Sequence, residues 1–149
     1  VLREVDEDEF MKNIADIRSS CGDRAVLRAM HFYGDNARVE KQAAALKAGD
    51  FETFKKYIIE SGRSSYMYNQ NVYSCKKASE QPVSLALSLS EKLLDGCGAW
   101  RVHGGGFAGT IQAFVPLNKL DEYKDLMEKV FGSGSCYILS VRPVGGVEL

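Results

Sequence analysis

With 149 residues, 45% of them hydrophobic and 26% charged, the chain has the make-up of a soluble globular domain long enough to bury its own core. Nineteen basic and twenty acidic side chains leave a net charge of −1, with a pI near 6.2, so there is no basic field to hold nucleic acid. The most apolar stretch, residues 83–94, is interrupted by Ser84, Ser88, Ser90, Glu91 and Lys92, which excludes a membrane span.

Asp6, with Glu9 three residues on, suits a helix N-cap, and Phe10, Ile14 and Ile17 form one apolar stripe, so a helix is predicted over residues 6–20. Gly22 and Asp23 stop it and start a second, over residues 24–48, with Val26, Met30, Tyr33 and Ala37 on one face and Gly34 as a candidate bend. Gly49 suits the position after a helix, Asp50 caps the next, and Phe51, Phe54 and Ile58 open a third. Residues 62–81, GRSSYMYNQNVYSCKKASEQ, show no period and are predicted as a long loop, ordered by Tyr66, Tyr68 and Tyr73. Pro82 fits the first turn of a fourth helix over residues 83–94, expected to be the most buried, and Asp95 and Gly96 end it.

Beyond Gly98 the period changes to two. Trp100 and Val102 face one way, Arg101 and His103 the other; after the glycines, Ile111, Ala113 and Val115 oppose Thr110, Gln112 and Phe114. Asn118 and Asp121 start a final helix with Leu120, Tyr123, Met127 and Val130 inward, and Tyr137, Leu139 and Val141 make a last strand before Pro143. Helices early and strands late predict an α+β class, with helices packed on a small, largely antiparallel sheet, in a single domain over residues 1–149.

Cys21, Cys75, Cys97 and Cys136 are spaced too widely for a metal knuckle, no Asn-X-Ser/Thr site occurs, and the N-terminus VLREVDEDEF lacks a secretion signal's layout. Reduced thiols, a cytoplasmic location, a monomer, and neither membrane nor nucleic-acid partners are therefore expected. The chain begins without Met, as a piece of a longer sequence would.

Gly104, Gly106 and Gly109 satisfy G-x-G-x-x-G, but a dinucleotide site needs a helix straight after the loop, and here the strand-like TIQAFVP follows. A protein-kinase glycine loop does lie between strands, yet no V-A-I-K, H-R-D or D-F-G occurs, and G-x-x-x-x-G-K-[ST] is absent too. Three consecutive glycines, Gly104 to Gly106, expose backbone N–H groups and can take positive φ. They serve either a tight turn or a concave nest for an anion.

The residues around them carry a resemblance. Galactokinases, of the GHMP kinase superfamily, have a motif G-A-R-[ML]-T-G-G-G-F-G-G in a strand–loop–strand setting. Arg101, Gly104, Gly105, Gly106, Phe107 and Gly109 agree with it and Val102 is a conservative change; Ala99, Trp100, His103 and Ala108 depart. RAMHFYGDNARV at residues 28–39 is similar to R-A-x-H-x-x-x-E-x-x-R-V, with Asp35 for Glu, and ALKAGDFETF at residues 45–54 is similar to A-L-x-x-G-D-x-x-x-F. The resemblance spans residues 24–115. Where the family has S-H-x-S-L, the chain has Ser61, Gly62, Arg63, Ser64 and Ser65.

This resemblance implies the C-terminal lobe of an ATP- and Mg²⁺-dependent sugar 1-kinase that transfers the γ-phosphate of ATP to galactose or a related sugar. The family's sugar signature, phosphate loop and catalytic Asp and Arg have no counterpart in these 149 residues. So no catalytic residue and no metal ligand is expected here, and the isolated chain should be inactive. Gly104, Gly105, Gly106, Phe107 and Gly109 would form the active-site glycine loop, with Arg101 and Ser64 as contacts to phosphate or substrate. His103 stands where the family has Thr, outside its acid–base chemistry. Two rivals share the residues: a non-catalytic sugar-sensing or regulatory relative, and a stand-alone α+β interaction module. Locally, His31 and Asp35 lie one helical turn apart and suit a surface hydrogen bond rather than a metal. Ser61, Ser64, Tyr66, Tyr68 and Asn71 suit either sugar hydroxyls or an ordered loop, and Phe107 suits a hydrophobic plug.

Overall fold

Two aspartates start two helices. The Asp6 carboxylate accepts the amide of Asp8 at 2.8 Å and Asp50 accepts that of Thr53 at 3.0 Å, each satisfying a donor that the first turn leaves free. The computed structural model describes residues 1–107 and 109–141. The chain divides into two compact units, the first Val1–Pro116 and the second beginning at Leu117.

In the first unit the helix predicted over residues 6–20 is two, α1 (Glu7–Lys12) and α2 (Ile14–Cys21). The break is at Asn13, which sits at φ −102° and ψ 10° and turns its own amide Nδ2 back to the Glu9 carbonyl at 2.8 Å. A short polar side chain that bonds nearby backbone competes with the helix in this way. Helix α3 (Asp23–Lys47) runs unbroken through Gly34. Helix α4 (Phe51–Ser64) passes through Gly62 and continues as a π-helical turn, Ser65–Asn69. The irregular stretch therefore begins at Gln70 rather than at residue 62. Pro82 opens α5 (Pro82–Leu94), which buries Val83, Leu87, Ser90 and Leu94 and leaves Leu85 47% exposed.

Among the described residues the sheet is one antiparallel pair, β1 (Ala99–Val102) and β2 (Ile111–Phe114), in the register Ala99 to Phe114 and Val102 to Ile111. The class is α+β, as read from the sequence. Helix α4 packs on β1 and on α3, and α5 packs on both strands. Among the described residues, two side-chain clusters pack within this unit. Ala45, Phe54, Ile58 and Ala99 join Ile59 and Phe114, with the Phe54 and Phe114 rings edge-to-face at 5.4 Å. Phe10, Val26 and Ala29 join Leu2, Ile14, Ile17 and Tyr33. Each large apolar side chain fully buried this way contributes about 1.5–3 kcal/mol before entropy is subtracted.

Close approach decides two glycines. A Cβ on Gly98 would lie 2.6 Å from the Phe114 carbonyl oxygen, and one on Gly62 would lie 3.0 Å from both the Trp100 oxygen and the Arg101 Cβ. Gly62 thus lets α4 cross β1 at backbone distance, at the position where the family pattern has His.

In the second unit, α6 (Leu120–Phe131) follows a short 3-10 turn and buries Tyr123 and Met127. The strand expected at residues 137–141 does not form. Residues 135–141 have no regular structure, with Tyr137, Leu139 and Val141 80%, 88% and 92% exposed. Pro143 lies outside the described residues. Among the described residues no helix is long and apolar enough to cross a membrane.

Candidate functional site

The hairpin that joins β1 to β2 carries the glycine loop. His103 continues the ladder, its amide donating to the Thr110 carbonyl at 3.1 Å, so the loop proper is residues 104–109; Ala108 lies outside the described residues. Gly104, Gly106 and Gly109 take φ of +64°, +72° and +87°, and Phe107 takes +53°. Among the described residues no acceptor meets the amide N–H of Gly104, Gly105 or Gly106. Three such donors in a row, with the first and third glycines left-handed, are the ingredients of an anion nest.

The loop is strapped from behind. The π-helical turn closes with the Gln70 amide on the Ser65 carbonyl at 2.8 Å, Gln70 itself turns left-handed at φ +52°, and Asn71 is delivered beneath the glycines. The Phe107 amide donates to the Asn71 carbonyl at 2.9 Å, and Asn71 Nδ2 donates to the Gly105 carbonyl at 3.2 Å. Phe107 is 57% exposed, so it anchors the loop through its amide and not as a hydrophobic plug.

Beside the hairpin, α3, α4 and β1 meet in a half-buried charge cluster. Asp35 Oδ1 accepts from Ser61 Oγ at 2.5 Å and from Arg38 Nη1 at 2.9 Å. Its Oδ2 faces His31 Nε2 at 3.9 Å and Arg101 Nη2 at 4.0 Å. His31 Nδ1 in turn meets Ser64 Oγ at 2.9 Å. Burial pushes the His31 imidazole below its usual pKa; Asp35 opposes that, and Arg38 and Arg101 reinforce it. The surface hydrogen bond expected between His31 and Asp35 does not form: the two face each other at 3.9 Å inside this cluster, and each makes its hydrogen bonds elsewhere, His31 with Ser64 and Asp35 with Ser61 and Arg38.

Of the residues expected at the site, Gly104, Gly105, Gly106, Phe107 and Gly109 form one loop. Arg101 stands two residues before His103 on β1, with its guanidinium on Asp35 and its Nε donating to the Val102 carbonyl at 3.2 Å. Ser64 is 4% exposed and joined to His31, and Ser61 is wholly buried. His103 is exposed. Asn71, 2% exposed, belongs to the ordered backing of the loop. A groove of about 370 Å³ opens between α4, α5 and β1, lined by Gly62 and Arg101 together with Ile59, Met67, Leu87 and Trp100.

The loop amides suit an anionic oxygen. Magnesium does not fit the side chains present: among the described residues no three His, Cys, Asp or Glu groups gather as a metal site, and the Asp35 carboxylate is already taken by Ser61 and Arg38.

Comparison with known proteins agrees with the hairpin. Human galactokinase is 30% identical over 148 residues, covering 99% of this chain and 35% of that protein. The galactokinases of Mannheimia succiniciproducens and Haemophilus influenzae are 25% and 26% identical over 126 residues, covering 85% of this chain and 31% of each. This chain resembles a galactokinase C-terminal domain. It spans about a third of the length of these curated relatives. No family model matches it, and no solved structure does. The galactokinase likeness covers helices and hairpin alike, which makes the glycine loop part of a galactokinase-like domain and not an isolated motif.

Proposed function

We propose that this chain is the C-terminal lobe of a cytoplasmic, galactokinase-like sugar 1-kinase, which transfers the γ-phosphate of ATP to galactose or a closely related sugar. The observation that carries the reading is the glycine hairpin: three amides with no acceptor among the described residues, on a strapped loop, within a chain similar to galactokinases over nearly its whole length. Phosphoryl transfer depends mainly on positioning and on stabilising charge around the transferred group. The loop amides would supply hydrogen-bond donors to that charge, while ATP, magnesium and the group that takes the sugar hydroxyl's proton are held by residues outside this chain. Arg101 and Ser64, expected as contacts to phosphate or substrate, are engaged with Asp35 and His31 in the cluster beside the hairpin.

The test is ADP release, coupled to an optical readout, from the intact protein with galactose and with other hexoses. Galactose-dependent turnover by the intact protein, and none by these 149 residues alone, is the expected result. Sugar binding without turnover by the intact protein would favour the sugar-sensing relative instead. Turnover by the 149 residues alone would overturn the division of labour between lobes.

A further inference from the structure

Residues 70–72 have no regular structure, yet Asn71 and Val72 are each only 2% exposed. Their placement bears directly on the hairpin. The Phe107 amide and the Gly105 carbonyl both bond to Asn71, and these two residues flank Gly106, whose own backbone lies so close that a Cβ there would sit 2.2 Å from the Asn71 carbonyl oxygen.

We infer that Asn71 is the positioning residue of the glycine loop, fixing its shape by one main-chain and one side-chain hydrogen bond and so setting where the amides of Gly104, Gly105 and Gly106 point. Two further observations support this. Phe107 is a non-glycine residue at φ +53°, a conformation that persists only where surroundings impose it; the Asn71 carbonyl, holding the Phe107 amide, is such a restraint. Asn71 Oδ1 is buried without a hydrogen-bond partner among the described residues. A residue present only to fill space would not bring an unmet acceptor with it. What the position uses is the Nδ2 donor. The consequence for turnover rests on the kinase reading; the consequence for loop shape does not.

Backbone amide exchange in the 149-residue chain tests the inference, with rates expressed as protection factors so that the intrinsic pH dependence of exchange is removed. Asn71→Asp supplies a conditional donor. A carboxyl group buried there has a raised pKa, donates to the Gly105 carbonyl while protonated, and loses that donor when ionised. Protection of the Phe107 amide in Asn71→Asp, relative to β1 amides, should therefore fall about tenfold between about pH 5 and about pH 8, while the wild type stays flat. Asn71→Ala keeps the main-chain bond and deletes the donor at every pH; it should loosen Phe107 while β1 keeps its protection, and it decides the matter if the Asp variant does not fold. Phe107 protection equal to wild type in the alanine variant, or a uniform loss across β1 and Phe107 together, would overturn the inference.

In the intact kinase, Asn71→Ala should lower kcat with little change in the KM for sugar. A loosened loop with normal turnover would leave the positioning role standing and show that loop shape does not set the rate, whereas no turnover by the intact wild type would remove the kinase reading and leave the exchange result untouched. Lost turnover with an unchanged loop would overturn the positioning role.

Discussion

The Ser61 hydroxyl donates a 2.5 Å hydrogen bond to the Asp35 carboxylate and ties α4 to α3 across 26 residues of sequence. Ser61 is fully buried and Asp35 half-buried, so neither partner can exchange the contact for water at no cost. Ser61→Ala should destabilise the chain by about 1–3 kcal/mol, the penalty for leaving a largely desolvated acceptor short of a donor. Asp35→Asn should cost more, because Arg38 and Arg101 then face an uncharged amide. Urea unfolding measures both. A Ser61→Ala chain as stable as wild type would show that Arg38 alone satisfies the carboxylate.

His31 gives the same cluster a pH dependence. Its pKa is lowered in the folded chain, chiefly by burial, so the unfolded chain binds the proton more readily. Stability from this group is therefore complete above the unfolded value of about 6.5 and is lost as pH falls through it toward the lower folded value. The groups facing His31 are Asp35, which favours protonation, and Arg38 and Arg101, which oppose it. Unfolding free energies from about pH 7.5 down to about pH 5.5 should decline more steeply for wild type than for His31→Gln, which cannot titrate. Parallel curves would contradict the shift.

Much of the fold could be read within short windows of sequence. Asp6, Asp50 and Pro82 mark helix starts because capping chemistry acts within three residues. The alternation after Gly98 gave away the hairpin because strand faces repeat every second residue. What escaped depends on distant partners. Asn71 and Gly105 are 34 residues apart, and no spacing rule joins them. Gly62 heads the stretch read as a loop, yet it lies within α4, where its missing side chain admits the backbone of β1. Residues 137–141 alternate as a strand should, and alternation alone does not supply a partner strand.

The thiols differ enough to be ranked. Cys21 and Cys75 are exposed, and Cys97 and Cys136 partly buried, all four as free thiols. Cys97 points its Sγ at the Leu94 carbonyl at 3.4 Å, and burial together with Glu128 raises the pKa of Cys136 against the pull of Lys124. Thiolate is the reactive form, so Ellman reagent at neutral pH should titrate two thiols quickly and two slowly, and all four at once after denaturation without reductant. Fewer than four under denaturing conditions would mean disulfides, and would overturn the proposed compartment.

Neighbouring glycines in the loop separate folding from function. Gly106 has φ +72° and no room for a Cβ, whereas Gly105 lies outside the left-handed region and has nothing within 4 Å of where a Cβ would stand. Gly106→Ala should therefore weaken the chain by about 1–3 kcal/mol through backbone strain and the collision with Asn71, and loosen the hairpin. Gly105→Val should leave the melting curve of the 149 residues unchanged within about 0.5 kcal/mol, as surface substitutions clear of special contacts usually do. On the proposed kinase reading, the same open space is where, in the intact protein, the transferred phosphate and the opposing wall of the cleft would approach. A branched side chain there should cost about 3 kcal/mol of transition-state stabilisation, or roughly a hundredfold in rate. Melting curves on the 149 residues and ADP release on the intact protein decide between the roles. A Gly105→Val enzyme that folds and turns over normally would return the glycines to a tight turn, while one that melts normally, keeps wild-type protection at Phe107 and fails to turn over would owe the loss to what meets the loop from outside this chain.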